Sequence, residues 1–178
     1  MNPKSLELRE YISEEKIQSK VKEIGEALTA KLRGKDVVAV CVLKGSFMFY
    51  SDLIRNIHTD VDCEFFGVSS YNGGTTSSGE VKVTLDLSSP IEGRHVILVE
   101  DIVDTGLTMN YLKKSIESRK PASLTLVSLL EKPDALKVPC KMDHVGFQIK
   151  NEFVVGYGLD YQGYYRNLPY IAQVHNFQ

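Results

Sequence analysis

The chain has 178 residues and 43% hydrophobic content, enough for one domain with a sizeable core. Its net charge of −2 comes from 21 basic and 23 acidic residues that form no run, which excludes the positive footprint of a nucleic-acid binder. Cys41, Cys63 and Cys140 are odd in number and include no CxxC pair, so a disulfide scaffold or zinc site is not expected. Cys41 and Cys63 fall inside apolar runs and are expected to be buried free thiols. No segment approaches membrane-spanning length, and Met1-Asn2-Pro3-Lys4 lacks the apolar stretch of a leader. A cytoplasmic protein with neither membrane nor nucleic-acid partner is expected.

Ser13 is a candidate N-cap, with Glu14 and Glu15 in the first turn, where the helix dipole favours them. Ile17, Val21, Ile24, Leu28 and Leu32 recur at three- and four-residue steps, which predicts an amphipathic helix with Gly34 at C′. Val37 to Leu43 is a continuous apolar run, hence a strand buried on both faces. It ends in Lys44-Gly45-Ser46, and Phe47, Tyr50, Leu53, Ile54 and Ile57 mark the next helix. Gly45 permits close approach of an anion to the backbone of that turn.

Val61 to Val68 predicts another strand, followed by a stretch from Ser69 to Gly79 made almost wholly of Ser, Thr, Gly and Asn. Such a segment buries too little surface to hold one conformation and suits a lid over a site, spanning about 69–82. Val81, Val83 and Leu85 alternate with Lys82, Thr84 and Asp86, predicting a half-exposed return strand.

Val96-Ile97-Leu98-Val99 predicts a buried parallel strand with Glu100 and Asp101 at its carboxyl end. Asp104 follows within a short turn, and Thr105-Gly106-Leu107-Thr108 leads into a helix marked by Met109, Leu112 and Ile116. Ligands of open parallel sheets bind beyond the carboxyl ends of strands, and N–H groups at a helix N-terminus attract anions. Acids on one side and a phosphate cradle on the other suit a phosphorylated sugar. Ser123 to Leu130 is a further strand, with Glu131-Lys132-Pro133 at its end. Short strand-like pieces, Val145 to Ile149 and Phe153 to Val155, precede the run Gly156 to Asn167, which holds Asp160 and Arg166.

The string from Val96 to Met109 resembles the 5-phosphoribosyl-1-pyrophosphate (PRPP) motif of the type I phosphoribosyltransferases. Leu43-Lys44-Gly45-Ser46 resembles the pyrophosphate loop of their hypoxanthine-guanine branch, and Phe153 to Tyr161 resembles its purine and metal segment. The resemblance implies an α/β fold: a central, mainly parallel sheet flanked by helices, with a small hood at about 145–178 and a flexible lid. One domain would span 1–178.

The implied activity is purine salvage, in which 5-phosphoribosyl moves from PRPP to N9 of hypoxanthine or guanine, giving IMP or GMP and pyrophosphate. By this resemblance, Glu100 and Asp101 hold the ribose hydroxyls, and residues Asp104, Thr105, Gly106, Leu107 and Thr108 hold the 5′-phosphate. Asp104 is the implied general base at purine N7. Lys44, Gly45 and Arg166 serve pyrophosphate, and Lys132, Phe153, Val154 and Asp160 serve the purine. Lysine has donors only, so Lys132 suits a 6-oxopurine and suits adenine poorly. The cofactor implied is Mg2+ near Glu100, Asp101 and Asp160, with Ser70 and Tyr71 acting from the lid. The resemblance also implies a cis peptide between Leu43 and Lys44 and a homodimer or homotetramer. Where relatives carry an arginine soon after this lysine, the present chain has Asp134-Ala135-Leu136, with Lys137 the nearest cation. Two alternatives stay open: a non-catalytic PRPP-binding regulator of the same fold, and a xanthine-preferring enzyme.

Overall fold

A computed structural model describes residues 6–70 and 81–175. Strand β1 (Leu8–Ile12) is followed by helix α1 (Glu14–Leu32), β2 (Val37–Leu43), α2 (Phe47–Arg55), β3 (Val61–Ser70) and β4 (Val81–Leu85). Next come β5 (His95–Val103), α3 (Leu107–Glu117), β6 (Ser123–Glu131), β7 (His144–Gln148), β8 (Val154–Val155) and β9 (Ile171–Val174). Six strands form one sheet in the order β4-β3-β2-β5-β6-β7, parallel except for β4. The remaining three form a small antiparallel sheet, β1-β9-β8.

The apolar runs behave as strands buried on both faces. In β2, Val37, Ala39 and Cys41 join one core while Val38, Val40 and Val42 join the other. In β5, Ile97 and Val99 face the first core and Val96 and Leu98 the second. The first core is closed by α1 and α2 through Ile17, Leu28, Phe49 and Leu53. The second is closed by α3 through Met109, Leu112 and Ile116. The N-cap of α1 is Ser13, whose hydroxyl accepts from Lys16 N at 3.5 Å, and Gly34 follows its end at φ 72°.

Chain order reverses beside β2: the chain leaves it toward β3 on one side, and β5 returns on the other. The turns after β2 and β5 therefore open side by side at the carboxyl edge, the switch point where open α/β sheets hold ligands.

Three expectations need correction. Cys63 is an exposed free thiol, because its side of β3 lies near the open end of the sheet; Cys41 alone of the pair is buried. In β4, residues Lys82 to Leu85 are all exposed, so this edge strand is solvated on both faces instead of alternating. The segment near 145 belongs to the main sheet as β7, and the small sheet takes its first strand from the N-terminal residues Leu8–Ile12. Neither β1 nor β9 carries a long apolar signal, and both exist through pairing with each other. Among the expected lid residues, Ser70 closes β3, whereas Tyr71 and the rest of the loop to residue 80 lie outside the described residues. Among the described residues, no helix is long and apolar enough to cross a membrane.

Like β2, β5 packs into both cores. Leu98→Ala, at a fully buried position, is expected to cost about 3 kcal/mol of stability, within the usual range for buried leucines. Denaturant unfolding measures this; a loss well under about 1 kcal/mol would show that the second core closes without Leu98.

Candidate active site

The turn after β5 is the centre of the site. Gly106 caps α3 in the left-handed region at φ 79°, where a side chain is strained. A Cβ there would also meet the Val138 carbonyl at 2.9 Å. The turn is held from outside: Thr105 O accepts from Lys137 N at 3.0 Å, and Asn110 Nδ2 donates to Gly106 O and to Pro139 O, both at 3.0 Å. The stretch expected to lack its cation thus has another part to play, bracing the anion cradle through its backbone. Asn110 is a site-shaping residue that the sequence reading missed; its one signal is a hydrogen-bonding side chain four residues after a turn glycine.

A cavity of about 80 Å³ lies at the N-terminus of α3, lined by Glu100, Asp104, Thr105, Gly106 and Thr108 among others. Its size and its facing amides fit a small oxyanion. Leu107, expected with this group, opens α3 as its first residue and is exposed.

A second cavity, of about 210 Å³, adjoins it and is lined by Asp101, Ile102, Asp104, Lys132, Phe153, Val154, Leu159 and Asp160. Every purine residue named from sequence lies on its wall. Lys132 is 7% exposed, and its ammonium stands 3.6 Å from Asp104 Oδ2. Phe153 meets Tyr161 edge-on, with ring centroids 5.8 Å apart, so its ring is orientated by a neighbour. Val154 pairs with Gln173 in the small sheet, which fixes the backbone beside that ring.

The acids are packed more tightly than their charge favours. Glu100 is 9% exposed, and its buried Oε2 has no hydrogen-bond partner among the described residues. Burial, reinforced by the Asp101 charge, raises the Glu100 carboxyl well above the ordinary carboxylate range. Burial likewise pushes Asp101 up to about 6, although the Ile102 amide donates to its Oδ1 at 2.8 Å. The close approach expected at Gly45 is made by this same acid: a Cβ on Gly45 would overlap the Asp101 carboxylate. Lys44 is exposed at the mouth of the turn, and the Leu43–Lys44 peptide is cis.

Arg166 does not point freely into the site. Its Nη1 donates to Gly158 O at 2.6 Å, and its Nη2 pairs with Asp160 Oδ1 at 2.6 Å. The other Asp160 oxygen accepts from Gly163 N at 2.6 Å. Among the described residues, no three of His, Cys, Asp and Glu are grouped to hold a metal ion. The expected set of Glu100, Asp101 and Asp160 is therefore no closed protein cage, because Asp160 is spent on Arg166 and Gly163. The orphaned Glu100 oxygen beside Asp101 still offers hard oxygen donors of the kind that magnesium takes, with water and ligand oxygens completing the shell.

The phosphoribosyl transferase domain family matches residues 9–162. The hypoxanthine-guanine phosphoribosyltransferase of Bacillus subtilis (strain 168) is 50% identical over 161 residues, 90% of this chain and 89% of that one. The bifunctional protein TilS/HprT of Listeria innocua is 51% identical over 161 residues; the match takes in 90% of this chain but spans only 25% of that protein. The crystal structure of a hypoxanthine phosphoribosyltransferase from Staphylococcus aureus superposes with a TM-score of 0.90 at 48% identity, covering 94% of this chain and 91% of that one.

Asp101→Asn keeps the Ile102 hydrogen bond and removes a charge that burial disfavours. Raising an acid's pKa from 3.8 to about 6 destabilises the fold increasingly as pH rises through that window, and fully above it. The substitution is expected to stabilise the ligand-free protein by about 1 to 3 kcal/mol at pH 7.5, with the gain vanishing near pH 4. Thermal unfolding across this range checks it; equal stability of both proteins at pH 7.5 would show Asp101 to be well solvated.

Proposed function

The chain belongs to the phosphoribosyltransferase family, and we propose that it transfers 5-phosphoribosyl from PRPP to N9 of hypoxanthine and guanine, in purine salvage. The observation that carries this reading is the placement of Lys132 beside Asp104, 3.6 Å apart on one wall of the larger cavity. In a 6-oxopurine, O6 and N7 sit side by side on one edge. A buried ammonium donates to O6, and the adjacent carboxylate takes the proton from N7.

The rest of the chemistry is assigned to this chain's own groups. The 5′-phosphate enters the smaller cavity, where the N–H groups and hydroxyls of Thr105 to Thr108 receive it. Glu100 and Asp101 accept from the ribose hydroxyls and place negative charge beneath an anomeric carbon that becomes cationic as pyrophosphate departs. The C1–O bond to pyrophosphate breaks, the N9–C1 bond forms, and the N7 proton passes to Asp104. Magnesium, held through Glu100, Asp101 and oxygens of the substrate, would neutralise the leaving charge. Lys44 stands at the pyrophosphate side; Arg166 acts there by orienting Asp160 and the Gly158 carbonyl, or by exchanging them for pyrophosphate oxygens. Phe153 stacks on the base, and Val154 presents backbone to its 2-position. Ser70 and Tyr71 would close over the reacting atoms and exclude water.

A homo-oligomer in the cytoplasm completes the reading. Phe65 and Leu85, 42% and 47% exposed on neighbouring strands, offer apolar surface to a second copy. The exposed thiol of Cys63 suits a reducing compartment.

Initial rates with PRPP and Mg2+ on hypoxanthine, guanine, xanthine and adenine test the assignment. Hypoxanthine and guanine are expected to exceed adenine by about 10² or more, since a lysine meets an amino group without an acceptor. Comparable use of adenine would contradict it. Lys132→Ala is expected to lose oxopurine use selectively, and an unchanged preference over adenine would remove Lys132 from the specificity. Asp104→Asn is expected to lower turnover by about 10² or more with PRPP affinity kept. Equal loss of turnover and affinity would make Asp104 structural.

A further inference from the structure

Strand β8 runs into a loop whose backbone is left-handed at three successive residues: Gly156 at φ 102°, Tyr157 at 48° and Gly158 at 99°. Two of these are glycines. Tyr157 is a bulky residue in a region that side chains rarely adopt, so something must hold it there. Its ring is 4% exposed within the core closed by α1 and α2. Its hydroxyl donates to Asp52 Oδ2 on α2 at 2.6 Å, and Gln18 Nε2 on α1 donates to the same oxygen at 2.9 Å. Arg55 approaches the other Asp52 oxygen at 3.8 Å.

The far side of this loop touches the turn after β2. A Cβ on Gly158 would overlap the Gly45 carbonyl, so the two backbones are in direct apposition. Helix α2, which carries Asp52, begins immediately beyond that turn. The Tyr157–Asp52 bond therefore ties the loop that leads to Asp160 to the helix that leads from Lys44 and Gly45.

We infer that Tyr157 is a positioning residue, latched by Asp52, that sets the spacing between the pyrophosphate turn at Lys44–Gly45 and the loop bearing Gly158 and Asp160. The base side of the cavity is also lined by Leu159 and Asp160, but it has supports outside this loop, Lys132 at the end of β6 among them. Val154 and Val155 pair with β9, and Phe153 is met by Tyr161. Loosening the latch should thus be felt by pyrophosphate and PRPP far more than by the purine. The inference rests on the proposed function for what the two loops bind.

Tyr157→Phe keeps the ring and removes the latch. The expected result is a rise of about five- to tenfold in the KM for PRPP and in the Kd of Mg2+-pyrophosphate by calorimetry, with the KM for hypoxanthine within about twofold. Asp52→Ala should give the same split, and adding it to Tyr157→Phe should cause little further loss. Asp52→Asn, which keeps an acceptor for the phenol, should stay near wild type. Unchanged PRPP and pyrophosphate affinity in Tyr157→Phe would overturn the latch while leaving the proposed function intact. So would a parallel loss for hypoxanthine and PRPP with a lowered melting temperature, which is general loosening. A wild-type chain that neither binds Mg2+-pyrophosphate nor makes nucleotide would overturn the proposed function and the latch with it.

Discussion

Two neighbouring acids at the end of a strand buried on both faces set the terms for the rest of this molecule. β5 is pinned between β2 and β6, so Glu100 and Asp101 emerge where water is scarce, one against the other. Removing two charges from water without a partner is costly, and natural folds accept it where a ligand or ion supplies the missing charge. The surroundings fit that logic. Gly45 yields its side-chain space to the Asp101 carboxylate, and Glu100 leaves one oxygen buried and unpaired. In the proposed reaction these acids would meet ribose hydroxyls or a cation, which would offset the cost of burying them.

From that junction the proposed site extends in three directions, each supported by a different element. The anion cradle is the start of α3, braced from behind by the backbone of 137–139 through Thr105 and Asn110. The base pocket is framed by the end of β6, which delivers Lys132, and by the small sheet, which holds Val154 beside Phe153. The pyrophosphate side is the turn after β2, kept in contact with the 156–160 loop. A sugar-phosphate bound between them would bridge all three, so binding strength and catalytic geometry come from the same supports.

Much of this was legible in the sequence because the governing signals are local. Continuous apolar runs announce strands buried on both faces, as in Val37 to Leu43 and Val96 to Val99. The Ser13 cap and the spacing from Ile17 to Leu32 announce α1. Acids, a turn glycine and hydroxyls in one short string announce an anion site. What escaped depends on partners distant in sequence. β1 and β9 are short, and only their pairing makes them strands. Cys63 lies in an apolar run but on a part of β3 that β4 does not reach, and it stays exposed. Asp160 and Arg166 both read as candidate site residues, yet their mutual pairing is set by a loop fold that no spacing reveals. Nothing in the spacing marks Tyr157, whose hydroxyl meets Asp52, 105 residues away.

The account turns on a phosphate seated at the N-terminus of α3 with the acids of β5 beneath the attached ribose. Titrating the isotope-labelled protein with PRPP and Mg2+ while following backbone amide resonances tests this most directly. The largest shifts, with slowed amide exchange, are expected at Thr105, Gly106, Leu107 and Thr108. Binding that left these four amides unmoved while perturbing residues elsewhere would contradict the account.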